Sequence, residues 1–334
     1  MKIVNKINLA LEKILKEDKN CLIIGEDILD PYGGAFKVTK NLSKKFPKQI
    51  ISTPISEAGF TGIATGMMYS GLNPIVEIMF NDFLTLISDI IINSSSKFGW
   101  FSREKVLGKM IIRTPGGGGR GYGPIHSQNL EKLFFGWPHI DLFSPNIISD
   151  PYELMIDVYK SKTNVKFFLE NKNDYSKKII NTIELNNLGF QLKNLKSDVT
   201  DSIVYNSSDY KNSDVVFCCY GGSVEKILSA AKELFLTDEI SSSIIVPAKI
   251  YPLNQKIVEI LAFYGKKIII VEEGYCESGW GSYILTQLTK YKINLKNIKI
   301  LGPKFEVIPA NFEKEKKHFT TKEDIIKEVK LFYE

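Results

Sequence analysis

Apolar and polar positions alternate along this chain in two rhythms. Residues 5–16 set Ile7, Leu11, Ile14 and Leu15 at helical spacing among Asn, Lys and Glu, which predicts a helix. The compact apolar run 21–24 predicts a strand, closed by Gly25-Glu26-Asp27, and Pro31-Tyr32-Gly33-Gly34 is a turn cluster. Further strands are predicted over 50–52, 74–79, 109–113 and 165–169, and helices over 57–70, 83–98 and 151–160. The helix over 57–70 carries Gly59, Gly62 and Gly66. Glycine inside a helix costs ~1 kcal/mol relative to alanine. Repeated at this spacing, it marks the close approach of another backbone, so this helix is expected deep inside an interface.

Strand–helix alternation of this kind predicts a parallel, doubly wound sheet. From 171 to 213 the rhythm fades into Asn, Ser, Lys and Asp, the expected connection between domains, with 185–195 a candidate edge strand. A second alternation follows. It has strands over 214–219, 243–246 and 266–271, a turn at Gly221-Gly222, helices over 224–236 and 255–264, and helices starting near Ser278 and Thr321. The expected fold class is α/β with two doubly wound domains, over 1–190 and 191–334. No solenoid-type repeat is present.

Composition supports this picture. At 334 residues the chain exceeds one ordinary core. Its 44% hydrophobic and 24% charged content is that of a soluble globular protein. The net charge of +5 is spread out, and the densest basic stretch, 314–317, lies among acids. That reads as a solvated face and not a nucleic-acid groove. Cys21, Cys218, Cys219 and Cys276 form no CxxC pair and are expected as small buried hydrophobes in a reducing compartment. No apolar run is long enough for a membrane span. The first residues are amphipathic and contain acids, so they read as a helix and not a signal peptide, and a cytoplasmic location is expected.

Candidate chemistry begins at Thr53-Pro54-Ile55-Ser56-Glu57-Ala58-Gly59-Phe60, where one carboxylate, Glu57, sits at a strand-to-helix junction. Such junctions present ligand chemistry in open α/β sheets, although a first-turn acid also simply suits the helix dipole. The run Gly116 to Gly119 with Gly121 and Gly123 frees backbone N–H groups to face an anion, or is a plain surface loop. It matches neither GxxxxGK[ST] nor GxGxxG before a helix. His126 ends that loop, in Pro124-Ile125-His126-Ser127-Gln128, where an imidazole is placed for proton transfer near strand carboxyl ends. His139 and His318 lack such a setting and read as surface or packing residues. HExxH, GxSxG and a GDG-with-Asn magnesium motif are all missing, so no metal site is expected on this chain.

Together these pieces resemble a family. Gly25-Glu26-Asp27, Gly34-Ala35-Phe36-Lys37-Val38-Thr39, the Glu57 segment, the stretch 74–83, His126-Ser127-Gln128, Ser144-Pro145 and Phe168-Leu169-Glu170-Asn171 match the β subunit of the thiamine-diphosphate-dependent E1 component of 2-oxo acid dehydrogenase complexes. Val271-Glu272-Glu273-Gly274 marks a transketolase-type C-terminal domain, after an N-terminal pyrimidine-binding domain. By this resemblance Glu57 faces N1′ of the aminopyrimidine and holds a proton there, which lets the thiazolium lose its C2 proton. A carboxyl is required, because an amide bonds N1′ but exchanges no proton. The resemblance also places Phe83 on the pyrimidine ring, Met79 on the same wall and Ile55 beside it. The alternative for these three is ordinary core packing. His126 is placed near the reacting carbons, for proton handling and acyl transfer.

The same resemblance implies thiamine diphosphate shared with an E1 α subunit that holds Mg²⁺ and the diphosphate, in an α2β2 heterotetramer. It also implies a lipoyl acyltransferase E2 partner and a 2-oxo acid substrate, so the chain is expected to be inactive alone. Two positions depart from the family: Gly136 in place of the histidine after the His126-Ser127-Gln128 helix, and Asn254 in place of an aspartate. They bear on substrate and on the E2 partner, and point toward a side pathway with a different acyl acceptor. The alternatives are one half of a split transketolase moving a ketol unit, an acetoin dehydrogenase-type β subunit, and an assembly subunit without chemistry. A sugar enzyme would need cations for phosphate, for which Arg113 and Arg120 near the glycine loop are the candidates.

Overall fold

The first helix, Ile3–Glu17, buries Ile3, Ile7, Ala10, Leu11, Ile14 and Leu15 on one stripe, as its spacing dictates. It packs on the helix Pro151–Lys160, which opens with an Asp150 cap and Pro151 at its first turn. The computed structural model describes residues 1–101, 103, 106–291 and 293–333. In chain order its strands are β1 (Cys21–Gly25), β2 (Ile50–Ser52), β3 (Asn73–Glu77), β4 (Met110–Gly116), β5 (Ile140–Phe143), β6 (Val165–Asn171), β7 (Gln191–Lys196), β8 (Thr200–Tyr205), β9 (Val215–Cys219), β10 (Ser242–Val246), β11 (Lys249–Tyr251), β12 (Ile268–Val271) and β13 (Ile298–Leu301).

They form two sheets, ordered β11-β5-β6-β4-β3-β1-β2 and β13-β12-β9-β10-β8-β7. From β5 to β2 the first sheet is parallel, with Ile75 beside Ile111 and Met110 beside Val165. Strands β4, β5 and β6 are buried along their whole length, as strands covered by helices on both faces must be. Strand β11 comes from the second half of the chain yet pairs antiparallel with β5, and Lys249 reaches Asp141 at 2.8 Å. The second half of the chain thus lends one strand to the first sheet.

Several expectations change in detail. The faded region after 171 is not a simple connection. It holds the helix Thr182–Asn187 and an antiparallel hairpin, β7 with β8, on the edge of the second sheet. Edge strand β7 turns Gln191, Lys193 and Asn194 to solvent, so its apolar content is too low to stand out. The helix expected over 83–98 is broken into Leu84–Asp89, a π-helical stretch Ile90–Ser95 and the short helix Phe98–Phe101. Serine hydroxyls explain the break. Ser95 Oγ bonds the Ile90 carbonyl at 3.1 Å and Thr65 Oγ1 at 2.8 Å, so the backbone bond there widens by a residue. The segment at His126 is a turn and not a helix, with only a 3₁₀ helix at Glu131–Phe134. His126 N–H bonds within the turn, to Gly123 O at 3.4 Å, while the N–H groups of Gln128 and Leu130 bond outward to side chains.

Candidate active site at the carboxyl ends of the first sheet

Each candidate residue leaves a strand of the first sheet at its carboxyl end. Glu26 follows β1, Glu57 lies a short loop beyond β2, Met79, Phe80 and Phe83 follow β3, the glycine loop with His126 follows β4, and Lys172 follows β6. Parallel strands gather these ends on one side, which is where open α/β sheets place ligand chemistry.

Glu57 opens the helix Glu57–Tyr69 and is 7% exposed. Among the described residues no hydrogen bond reaches its carboxylate. Glu26 is equally buried, with Oε1 unpartnered among those residues, and burial together with the Glu57 charge raises its pKa. Two acids thus share one poorly solvated corner. Met79 and Phe83 are half-buried, whereas Ile55 is 84% exposed.

His126 is half-buried against two aromatic rings, Phe80 at 4.7 Å and Phe83 at 5.4 Å between centroids, both edge-on. Of the expected residues, then, Phe83 and His126 meet, and no hydrogen bond joins Glu57 to His126 among the described residues. The turn is bolted to the segment that carries Phe83. Asp82 Oδ1 accepts from the Gln128 amide at 3.2 Å and from its side chain at 3.0 Å, and Asn81 Oδ1 accepts from Leu130 N–H at 2.6 Å. Lys172 Nζ donates to the His126 carbonyl. Burial pushes the pKa of that ammonium down to about 8, while its charge faces the Phe80 and Tyr122 rings.

The anion expected for the glycine loop exists, but it is internal. Gly121 and Gly123 N–H groups donate to the two carboxylate oxygens of Glu315, and Ser127 Oγ donates to the same group. Glu315 is fully buried. Arg113 is no phosphate cation. It lies in the core, with Nη1 2.7 Å from Glu77 Oε2 and Nη2 2.8 Å from Glu170 Oε2. Burial alone would lower its pKa, but the Glu170 and Glu77 charges outweigh that and raise it. Arg120 rests over the Phe36 ring at 5.2 Å.

The family departures have local reasons. Asn254 caps the helix Gln255–Tyr264 and its amide donates to Asp201 Oδ2 at 3.1 Å, where an aspartate would set two acids against each other. Gly136 adopts φ +83°, a conformation in which any side chain is strained. His139 is exposed, and no group of three or more His, Cys, Asp or Glu among the described residues could hold a metal.

Reasoning from sequence missed Glu26, Phe80, Asp82, Lys172 and Glu315. Glu26 stood inside a noted motif, and Phe80 and Asp82 within a noted stretch. Glu315 had no local signal.

His318 is a packing residue with a consequence for stability. It is 3% exposed, and both ring nitrogens lack a hydrogen-bond partner among the described residues. Burial lowers its pKa. The unfolded chain therefore binds this proton more readily, so the contribution is complete above the unfolded value of about 6.5 and is lost as pH falls. Thermal unfolding scans should show the midpoint dropping between neutral and mildly acid pH, with a flatter drop in His318→Leu. An unchanged slope in that variant would remove His318 as the cause.

Comparisons with known proteins agree with the two-domain α/β fold. Residues 1–178 match the transketolase pyrimidine binding domain and residues 207–325 the transketolase C-terminal domain. The β subunit of the pyruvate dehydrogenase E1 component of Rickettsia felis is 30% identical over 324 residues, covering 96% of this chain and 94% of that protein. The mitochondrial pyruvate dehydrogenase E1 subunit beta-2 of Oryza sativa subsp. japonica is 29% identical, covering 85% of this chain and 73% of that protein. The β subunit of acetoin:2,6-dichlorophenolindophenol oxidoreductase of Bacillus subtilis is also 29% identical, covering 80% of this chain and 77% of that protein. A solved structure described as a split gene transketolase, inactive beta4 tetramer, shares the fold with a TM-score of 0.72 and 16% identity, over 99% of this chain and 97% of that one.

Proposed function

Because this chain belongs to the family of E1 β subunits built from transketolase pyrimidine-binding and C-terminal domains, we propose that it forms half of a thiamine-diphosphate site completed by an E1 α subunit. The reaction assigned is oxidative decarboxylation of a 2-oxo acid, with acyl transfer to a lipoyl acceptor on an E2 partner. We place the domain division at residues 190 and 191, and the assembly as α2β2.

One observation carries this reading: Glu57 is 7% exposed, and no hydrogen-bond partner from its own chain reaches its carboxylate among the described residues. An acid on a largely buried residue that lacks an internal partner is available to an outside donor. Glu57 would hold the aminopyrimidine ring nitrogen, and half-buried Met79 and Phe83 would supply the apolar surface an aromatic ring needs. The remaining wall is open. Gly59, Gly62 and Gly66 are not buried on the helix Glu57–Tyr69, and a Cβ added at Gly66 would meet no atom of the described residues within 4 Å. Ile63 and Trp100 are 58% and 78% exposed. Apolar, small-residue surface of this kind fits a second subunit. The diphosphate and Mg²⁺ are assigned to the α subunit, since this sequence has no motif for them.

When bound, thiamine diphosphate supplies the carbon nucleophile and the electron sink for loss of CO₂. The chain's own residues do the rest. Glu57 holds and returns a proton at N1′, in a poorly solvated corner that strengthens the bond. Phe83 and Met79 keep water from the ring. Phe80 and Phe83 fix the plane of His126, whose imidazole gives or takes a proton at the reacting carbonyl and orients the substrate carboxylate. Arg113 is committed to the core, which weakens the split-transketolase alternative. The Bacillus subtilis relative keeps acetoin cleavage as a second reading.

The test is reconstitution. Purified chain, its α partner, thiamine diphosphate and Mg²⁺ are mixed with pyruvate, a branched-chain 2-oxo acid or acetoin, and reduction of an artificial acceptor is followed. Activity is expected only with both chains present. Turnover by this chain unaided contradicts the shared site, and turnover of acetoin alone selects the second reading.

A further inference from the structure

The loop that carries His126 is unusual in how little of it is held by its own backbone. Gly117, Gly119, Gly121 and Gly123 all have positive φ, and the one backbone bond formed by His126 N–H, to Gly123 O, is long at 3.4 Å. Such a loop has many conformations open to it, and ordering it requires outside bonds.

Three of those bonds converge on one residue from the far end of the sequence. Glu315 sits in the helix Phe312–Lys316, whose start is fixed by Asn311 accepting from Lys314 N–H at 3.1 Å. Its two oxygens take Gly121 N–H, Gly123 N–H and the Ser127 hydroxyl. The two segments are packed as closely as the bonds require. A Cβ on Gly123 would lie 3.2 Å from Ala310 Cβ, and one on Gly121 3.5 Å from Phe312 Cβ. The carboxylate thus grips the chain on both sides of His126, while Lys172 holds the His126 carbonyl from the β6 end. Charge-assisted bonds in a dry site are stronger than neutral ones, and a carboxylate has no competing use for its oxygens here.

We propose that Glu315 is the positioning residue of His126: the C-terminal domain reaches across the molecule and, through one carboxylate, fixes the turn that presents the imidazole to Phe80 and Phe83. Glu315 touches no substrate. Its effect is transmitted through Gly121, Gly123 and Ser127. The catalytic part of this proposal rests on the function assigned above to His126, whereas the ordering of the loop does not.

The experiment uses both. Amide hydrogen exchange on the full chain compares wild type with Glu315→Gln and Ser127→Ala, with global stability measured alongside. Loss of the negative charge should speed exchange across 121–127 by more than tenfold, beyond any change in global stability, and Ser127→Ala should do so to a smaller degree. Unchanged exchange in both variants overturns the clamp, whatever the enzyme does. Steady-state kinetics on the reconstituted αβ complex, with pyruvate or a branched-chain 2-oxo acid as probe, then compares Glu315→Gln, His126→Ala and the double variant. Misplacing a catalytic group by about 1 Å costs up to roughly 10²-fold, so Glu315→Gln should lower kcat by ~10–100-fold with the half-saturating thiamine diphosphate concentration unchanged. In the His126→Ala background the same change should cost less than about twofold, because residues acting as a unit are not additive. An equal cost in both backgrounds makes Glu315 a general structural residue and ends the proposal. A wild-type complex inactive with every probe instead ends the functional reading, and the exchange result still stands on its own.

Discussion

Glu57→Gln is expected to lower turnover of the reconstituted αβ complex by roughly 10²–10⁴-fold, the span of a lost general acid–base group, while the protein folds and assembles normally. Glutamine has the same shape and still hydrogen-bonds a ring nitrogen, so cofactor binding should weaken little. What it lacks is a proton to give and take. Glu57 receives no hydrogen bond from the described residues, so the substitution breaks no internal contact of the fold, and the neighbouring Glu26 is relieved of a nearby charge. The unfolding midpoint should therefore stay or rise. Steady-state kinetics with a thiamine diphosphate titration, beside a thermal melt, separates these effects. Turnover within a few-fold of wild type would show that this carboxyl handles no proton and would favour an assembly role for the chain.

The second large effect concerns stability. Arg113→Ala should destabilise the chain by about 3–5 kcal/mol, because it leaves Glu77 and Glu170 in the core without their cation. Both carboxylates are 1% exposed. The arginine bridges β3 and β6 from the strand between them. Glu77 Oε1 also accepts the Ala35 amide at 2.7 Å, and Glu170 Oε2 the Tyr175 hydroxyl at 2.7 Å. This network sits directly beneath the strand ends that bear Phe83 and the glycine loop. Against a total stability of about 5–15 kcal/mol, the loss leaves little margin.

The sign of the pH dependence is diagnostic. Without the guanidinium the buried carboxylates take up protons more readily than in the unfolded chain. Their folded pKa values then lie above the unfolded ones, so stability is regained as pH falls and lost as it rises. Arg113→Ala should thus be relatively most stable in mild acid, and adding Glu77→Gln should recover part of the loss. Denaturant unfolding at two pH values tests this. Equal stability of wild type and Arg113→Ala would mean that the network is energetically idle.

Much of the molecule was legible in its residues because the signal was local. Amphipathic spacing marked the helix Ile3–Glu17, and apolar runs marked β1, β3, β4, β6, β9, β10 and β12. Short strands such as β5, β11 and β13 escaped. They are four residues or fewer, and β11 takes its partner from another domain. The hairpin of β7 and β8 read as linker because an edge strand can be polar on one side. Arg113 looked available from its place beside a glycine loop, yet burial and two acids distant in sequence commit it to the core.

The residue order alone determined two α/β units, a carboxylate at a strand-to-helix junction, and an imidazole ending a glycine loop after a strand, for each of these depends on neighbours within a few positions. The tertiary structure alone decided which groups meet: Phe80 against His126, two buried acids around Arg113, and the Glu315 carboxylate on the amides of Gly121 and Gly123. Such contacts join residues up to 194 positions apart. No periodicity encodes them, because they are fixed by how the two sheets pack and by the need of each buried polar group for a partner.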